Sequence, residues 1–140
     1  MGFDAVQAEL LPAELPRGLA VLPVVTDGPG LTTRVNALST LVPGQLARLG
    51  DPELLLEGPL GGRRGMRPDR HRARKLGASH RIVLAGGLDP HNVARAIQII
   101  QPVAVDVSSG VERSPGHKDR ELVSAFIVQA RRAHLAKETT

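Results

Sequence analysis

Cysteine, tryptophan and tyrosine are all absent from the 140 residues. Without cysteine there is no disulfide framework, no thiolate nucleophile and no cysteine-ligated metal site. The aromatic complement is two phenylalanines, Phe3 and Phe126, too few for the stacking platform on which nucleic-acid bases lie. No apolar run in the sequence approaches the roughly 20 residues that span a bilayer. Met1-Gly2-Phe3-Asp4 lacks the basic start of a secretion signal, and no apolar segment follows it. These absences lead us to expect a cytoplasmic protein with no membrane partner.

What is present is positive charge, net +4, concentrated at Arg63, Arg64, Arg67, Arg70, Arg72, Arg74 and Lys75, with Arg131 and Arg132 near the end. Such a cluster suits either a nucleic-acid surface or a solvated helix face. With so few aromatics we read a helix face and expect no nucleic-acid partner. The length corresponds to a single domain, residues 1–140, able to bury a core of its own.

The rest of the chain is organised around Arg81 to Pro115. Residues 81–85 (RIVLA) are a short apolar run, the pattern of a strand buried on both faces. Gly86 and Gly87 follow. Asp89 is then a good helix N-cap, and Pro90 fits the first helical position. Val93, Ala94, Ala96, Ile97, Ile99 and Ile100 give a broad apolar face at helical spacing, and Pro102 stops the helix. Residues 103–107 (VAVDV) read as a second strand of buried type, ending in Ser108-Ser109-Gly110. Two apolar strands joined by a helix form a βαβ unit, whose strands are parallel.

Both small-residue loops follow the carboxyl end of a strand, where parallel α/β folds bind ligands. Glycines let backbone N–H groups approach an anion, and serine hydroxyls add donors. Helices opening at Asp89-Pro90 and near Pro115 would add positive dipole ends. From the residues alone two readings stand: a phosphate cradle made by successive loops, or tight turns and nothing more.

The flanking sequence repeats the strand–helix alternation. Residues 3–8 and 18–25 read as strands, although Pro23 is awkward in a central strand. Residues 31–49 hold weak helix interrupted at Pro43-Gly44, and 53–57 (ELLLE) form a third strand. Gly58 to Gly65 is a glycine-rich loop, and Asp69 to Leu76 a basic helix capped by Gly77. The last helix runs from about Asp119 to Lys137, with Leu122, Val123, Phe126, Ile127 and Ala130 on its apolar face. Asp119 and Glu121 at its start and Arg131, Arg132 and Lys137 near its end suit the helix dipole. The fold class is therefore α/β with about five parallel strands.

LAGGLDPHNVARAI followed by VDVSSGVERSPGHKD strongly resembles the phosphoribosylanthranilate isomerase family of tryptophan biosynthesis. The family signature reads LAGGL-x-PENV, then GVDVSSGVE-x-xPG-x-KD. The match runs from Leu84 to Asp119, and the heptad Asp106 to Glu112 is highly specific. ELLLEGPLGGRRGMRPD (Glu53 to Asp69) is similar to the family's LLLDS…GGTG…FDW segment. The resemblance covers roughly residues 3–134, weakly before position 53, where Gln7 survives from the AVQLHG strand. It implies a (βα)8 TIM-type barrel, here as a partial barrel of the last five βα units, with the three N-terminal strands missing from the sequence.

The resemblance also implies a chemistry. The family converts N-(5-phosphoribosyl)anthranilate into 1-(2-carboxyphenylamino)-1-deoxyribulose 5-phosphate by an Amadori rearrangement, with no metal and no cofactor. A general acid opens the ribose ring and a general base removes the C2 proton. The acid's position is Glu57, a glutamate in place of the family aspartate; the alternative is a strand-end carboxylate bonding loop N–H groups. Phosphate contacts would fall on Gly62, Arg63, Arg64 and Gly65, on Gly86 and Gly87, and on Ser108, Ser109 and Gly110. Asp106 would orient substrate hydroxyls, or else serve as a buried structural carboxylate that must find partners. Glu112 and Lys118 would support the loop before the last helix. The family's base is a cysteine in an N-terminal KICG motif, and no such motif occurs here. None of His71, His80, His91, His117 and His134 lies at a strand's carboxyl end in this reading. Two functions follow as expectations: the isomerase, impaired as an isolated shortened chain, or a non-catalytic phosphate-binding half-barrel that homodimerises to cover its exposed edge strands.

Overall fold

A computed structural model describes residues 5–8, 20–41, 54–59 and 66–138. Five parallel strands form one sheet in chain order: β1 (Ala5–Ala8), β2 (Ala20–Thr26), β3 (Leu54–Glu57), β4 (Ile82–Leu84) and β5 (Ala104–Val105). Helix α1 (Leu31–Leu41) follows β2, α2 (Arg70–Gly77) follows β3, and α3 (Val93–Ile100) follows β4. After β5 come a 3-10 turn (Ser109–Val111), an antiparallel hairpin of β6 (Glu112–Ser114) and β7 (His117–Lys118), and the long helix α4 (Arg120–Glu138).

Strand order dictates the layering. When each parallel strand lies beside the one before it and each crossover is right-handed, the helices all fall on one face. The packing agrees. Val25, Leu54, Leu56, Ile82 and Leu84 share one apolar cluster with Leu31 and Val35 of α1, Ala73 and Leu76 of α2, Val93, Ile97 and Ile100 of α3, and Phe126 and Ala133 of α4. The alternate strand positions Leu55, Val83 and Ala85 form a second cluster, with Leu22 and Val24 packed against it and no described helix residue in it. The sheet therefore has a helix face and an opposite face, as in the wall of a barrel. A fully buried Leu or Ile contributes about 2 kcal/mol, so the helix face carries most of the hydrophobic stabilisation.

Several elements depart from the sequence reading. Val103–Val107 is not a buried strand: only Ala104–Val105 is regular, with an exposed and a half-buried residue. Among the described strands β5 is the last of the sheet, so nothing in the sheet covers its outer edge. Val103 N and Asp106 N still donate to Ile82 O and Leu84 O. Pro23 is tolerated because its register puts it at a changeover: Ala8↔Pro23 is the last pair with β1, and Val24↔Leu55 the first with β3.

Helix α3 begins at Val93 rather than at Pro90, because residues 90–92 close a preceding turn held by the Asp89 carboxylate. Its end is set by Gln101 in the left-handed region, φ 57°, one residue before Pro102. Gly77 is the last residue of α2 and not its cap; Ala78 takes that role. No helix opens near Pro115, since residues 112–118 form the hairpin. On α4, Phe126 is buried but Ile127 is 43% exposed, because α4 turns its 126/130/133 stripe, not its 127 side, to the core. No described helix is long and apolar enough to cross a membrane.

Candidate active site

The carboxyl ends of all five strands lie at one edge of the sheet, as parallel pairing requires. Register then aligns three chemistry-bearing segments. Leu56 pairs with Leu84 and Leu84 with Val105, so the next residues, Glu57, Ala85 and Asp106, stand level on adjacent strands. Side chains alternate along a strand. Because Leu56, Leu84 and Val105 belong to the helix-side cluster, Glu57, Ala85 and Asp106 face the opposite side. Two strand spacings separate Glu57 from Asp106, about 9–10 Å between their backbones. Glu57 is half-buried and Asp106 exposed. Of the two readings of Asp106, the buried structural carboxylate is thus corrected: Asp106 follows the last strand of the described sheet, on the face that no described helix covers, and is exposed.

The turn after β4 is built for close approach. Gly86 and Gly87 have φ of 87° and 61°, the left-handed region in which glycine carries no steric cost. A Cβ on Gly86 would lie 2.7 Å from Gly58 N, so this turn packs against the exit of β3. A Cβ on Gly58 would lie 1.8 Å from the Met66 carbonyl oxygen, so the arm at Met66 closes back on the strand end. Asn92 Oδ1 accepts from Asp89 N at 3.1 Å, while Asp89 Oδ1 accepts from Asn92 N at 3.0 Å and His91 N at 2.8 Å. Asn92 Nδ2 also donates to Gly87 O at 3.0 Å, which ties the glycine turn to the start of α3.

The Ser108-Ser109-Gly110 loop docks on that turn. A Cβ on Gly110 would fall 1.8 Å from Leu88 O, so only glycine fits there. Ser108 and Ser109 are exposed beside it. Lys118 Nζ donates to Ser108 O at 2.8 Å, Ser108 Oγ at 3.3 Å and Glu112 Oε1 at 2.7 Å. The Lys118 ammonium, followed by the Gly116 N–H, holds the Glu112 carboxyl below its usual range.

One residue escaped the sequence reading. Asp27 follows β2 on the helix side and is 4% exposed. Its carboxylate accepts from Arg72 Nε at 2.7 Å, a second Arg72 guanidinium nitrogen at 2.9 Å and Asp69 N at 2.7 Å. Its own N–H donates to Glu57 O at 2.8 Å. The Arg72 hydrogen bonds outweigh burial and hold the Asp27 carboxyl low, while Arg72 is raised in return. The only sequence signal was an aspartate directly after an apolar strand; its partner lies 45 residues away. Asp27 thus anchors the start of α2.

Of the predicted site residues, the structure brings Glu57, Gly86, Gly87, Asp106, Ser108, Ser109 and Gly110 to one edge. Gly62, Arg63, Arg64 and Gly65 lie outside the described residues. Among the described histidines, His71 and His134 are on helices, His80 and His91 in turns before β4 and α3, and His117 on β7, none at the carboxyl end of a strand of the main sheet. No group of three or more His, Asp or Glu among the described residues is placed to hold a metal.

Comparison with known proteins places this geometry. Residues 44–129 match the family model described as N-(5'phosphoribosyl)anthranilate (PRA) isomerase. A curated N-(5'-phosphoribosyl)anthranilate isomerase from Geobacter sp. (strain M21) is 65% identical over 52 residues, 37% of this chain and 26% of that protein. The phosphoribosyl anthranilate isomerase structure from Thermococcus kodakaraensis is 35% identical with a TM-score of 0.58, covering 81% of this chain and 53% of that one. A monomer form of the dimeric Thermotoga maritima enzyme is 31% identical with a TM-score of 0.62, covering 91% of this chain and 60% of that one. The alignments thus take in about a quarter of the curated relative and between half and two thirds of the structural ones. With its family-model match spanning more than half its length and its fold similar to these structures, the chain belongs to the N-(5'-phosphoribosyl)anthranilate isomerase family.

Proposed function

We propose that this chain carries the acid and phosphate half of a phosphoribosylanthranilate isomerase site, acting on N-(5-phosphoribosyl)anthranilate in tryptophan biosynthesis. One observation carries the reading: Glu57, Gly86-Gly87 and Asp106 to Gly110 leave three adjacent parallel strands at one edge, with Glu57 and Asp106 on one face. In the proposed roles, Glu57 protonates the ring oxygen of the ribose and Asp106 orients the sugar hydroxyls. Gly86, Gly87, Ser108, Ser109 and Gly110 cradle the phosphate, joined by Gly62, Arg63, Arg64 and Gly65. A phosphosugar bound this way needs no metal or cofactor, because every step is a proton transfer. The setting of such a reaction is the cytoplasm.

The base is assigned to no residue of this chain. We read residues 1–140 as one domain, corresponding to the C-terminal portion of the family's barrel. The outer strands β1 and β5 then mark where the rest of a barrel wall would join. Those two sheet edges also favour a second reading, a non-catalytic phosphate-binding half-barrel that homodimerises across them.

Complementation of a tryptophan auxotroph lacking the isomerase tests the proposal. Residues 1–140 alone are expected to support little growth. Co-expression of the three N-terminal βα units of a relative is expected to restore it, and Glu57→Gln to abolish it again. Absence of growth in the co-expressing strain, with the chain shown to be folded, would favour the half-barrel.

A further inference from the structure

We propose that Lys118 is a positioning residue for anion binding: its ammonium holds Ser108 so that the Ser108 hydroxyl proton is left to donate into the cradle. The inference rests on the phosphate reading given above.

The hairpin that carries Lys118 invites a functional explanation because it contributes no core. It pairs with no strand of the main sheet, and residues 113–118 are all exposed. What it delivers is one ammonium to one serine. A lysine has three N–H donors and no acceptor. Ser108 O, Ser108 Oγ and Glu112 Oε1 account for all three. Lys118 therefore has no donor left for a ligand, despite the 49% exposure of its side chain.

The consequence falls on Ser108. A hydroxyl has one proton to donate and two lone pairs to accept with. One lone pair of Ser108 Oγ faces the Lys118 ammonium, so the hydroxyl proton must point elsewhere, and no described group accepts it. The backbone carbonyl of Ser108 is held by the same ammonium, which fixes the residue on which the hydroxyl turns. Glu112 secures Lys118 from behind, and its second oxygen accepts from Gly116 N at 3.1 Å. Gly116 N, Glu112, Lys118 and Ser108 thus form a chain of bonds ending in an exposed hydroxyl whose proton no described group accepts. A tetrahedral oxyanion, acceptor on every side, is the chemistry that fits it.

The test is a double-mutant cycle read by phosphate binding. Inorganic phosphate is titrated into the full chain and followed by 31P NMR line broadening, with folding checked by circular dichroism. Ser108→Ala is expected to weaken binding about tenfold or more, the scale of a hydrogen bond to a charged group. Lys118→Met is expected to weaken it severalfold, yet to have no further effect in the Ser108→Ala background. Glu112→Gln loosens the ammonium without removing it and is expected to give a smaller loss that also vanishes in that background. Losses that add, as a scaffolding or long-range charge effect predicts, overturn the proposal, as does parent-like binding by Lys118→Met. Failure of the parent chain to bind phosphate would remove the phosphate reading and this inference together.

Discussion

Replacing Gly110 with alanine probes the contact between the serine loop and the Leu88 turn, on which the proposed phosphate cradle depends. The added methyl would lie 1.8 Å from Leu88 O, 2.8 Å from Leu88 C and 3.1 Å from Asp89 Cα, all backbone atoms. Neither side can give easily. Leu88 is 3% exposed and sits in the helix-side core, and Asp89 is pinned by its bonds with His91 and Asn92. Overpacking costs about 1–3 kcal/mol when side chains can shift. Here backbone must move by roughly 1 Å or more, so we expect about 3 kcal/mol. For a domain of this size that lowers Tm by roughly 10 °C, measurable by thermal circular dichroism. Hydrogen exchange at residues 108–111 should rise in parallel. Gly116→Ala supplies the control: its φ is 79° but nothing lies within 4 Å of the added Cβ, so only backbone strain of about 1 kcal/mol is expected. A Gly110→Ala protein with parental Tm and phosphate affinity would refute the close docking of the serine loop on the Leu88 turn.

Other perturbations test other parts of the argument. Asp27→Ala leaves the Asp69 N–H and the Arg72 guanidinium without their acceptor and should cost about 2–3 kcal/mol by urea unfolding. Because the folded Asp27 carboxyl titrates below its unfolded value, its stabilisation is complete above about pH 4. That stabilisation is lost as pH falls through the lowered folded value. Urea midpoints between pH 2 and 6 should show the loss in the parent and not in Asp27→Asn. Gln101→Gly removes the strain of a left-handed C-cap and should raise stability by up to about 1 kcal/mol. Phe126→Ala, in the helix-side core, should cost about 3–5 kcal/mol, whereas Leu135→Ser, at a site 61% exposed, should change stability by about 0.5 kcal/mol or less.

What could be read in the sequence depended on how local its cause was. The β4–α3 unit was legible because Gly86-Gly87, Asp89 and the apolar spacing of α3 act within a few residues of one another. The parallel sheet followed from apolar runs alternating with helical stretches. The shortness of β5 was hidden, since Val103 to Val107 is as apolar as a central strand and only its place at the sheet's end exposes it. The hairpin was missed because its residues carry no alternation to mark them. What holds them is an ion pair between Glu112 and Lys118, six residues apart. Asp27 and Arg72 meet only through the fold. Gly77 is of another kind: a Cβ there would stand 3.2 Å from Ile100 O, a tight packing position that resembles a cap in the sequence.

The contact between Gly58 and the Met66 carbonyl has a consequence for how this protein tolerates change. The exit of β3, the Gly86 turn and the start of α2 meet there through backbone contacts and the Asp27 anchor at Asp69. A side chain added at Gly58 or Gly86 would press on backbone atoms of a neighbouring segment, not on a side chain that could turn aside. The edge of the sheet that presents Glu57 is therefore held main chain to main chain, and its alignment does not depend on the identity of any one exchangeable side chain.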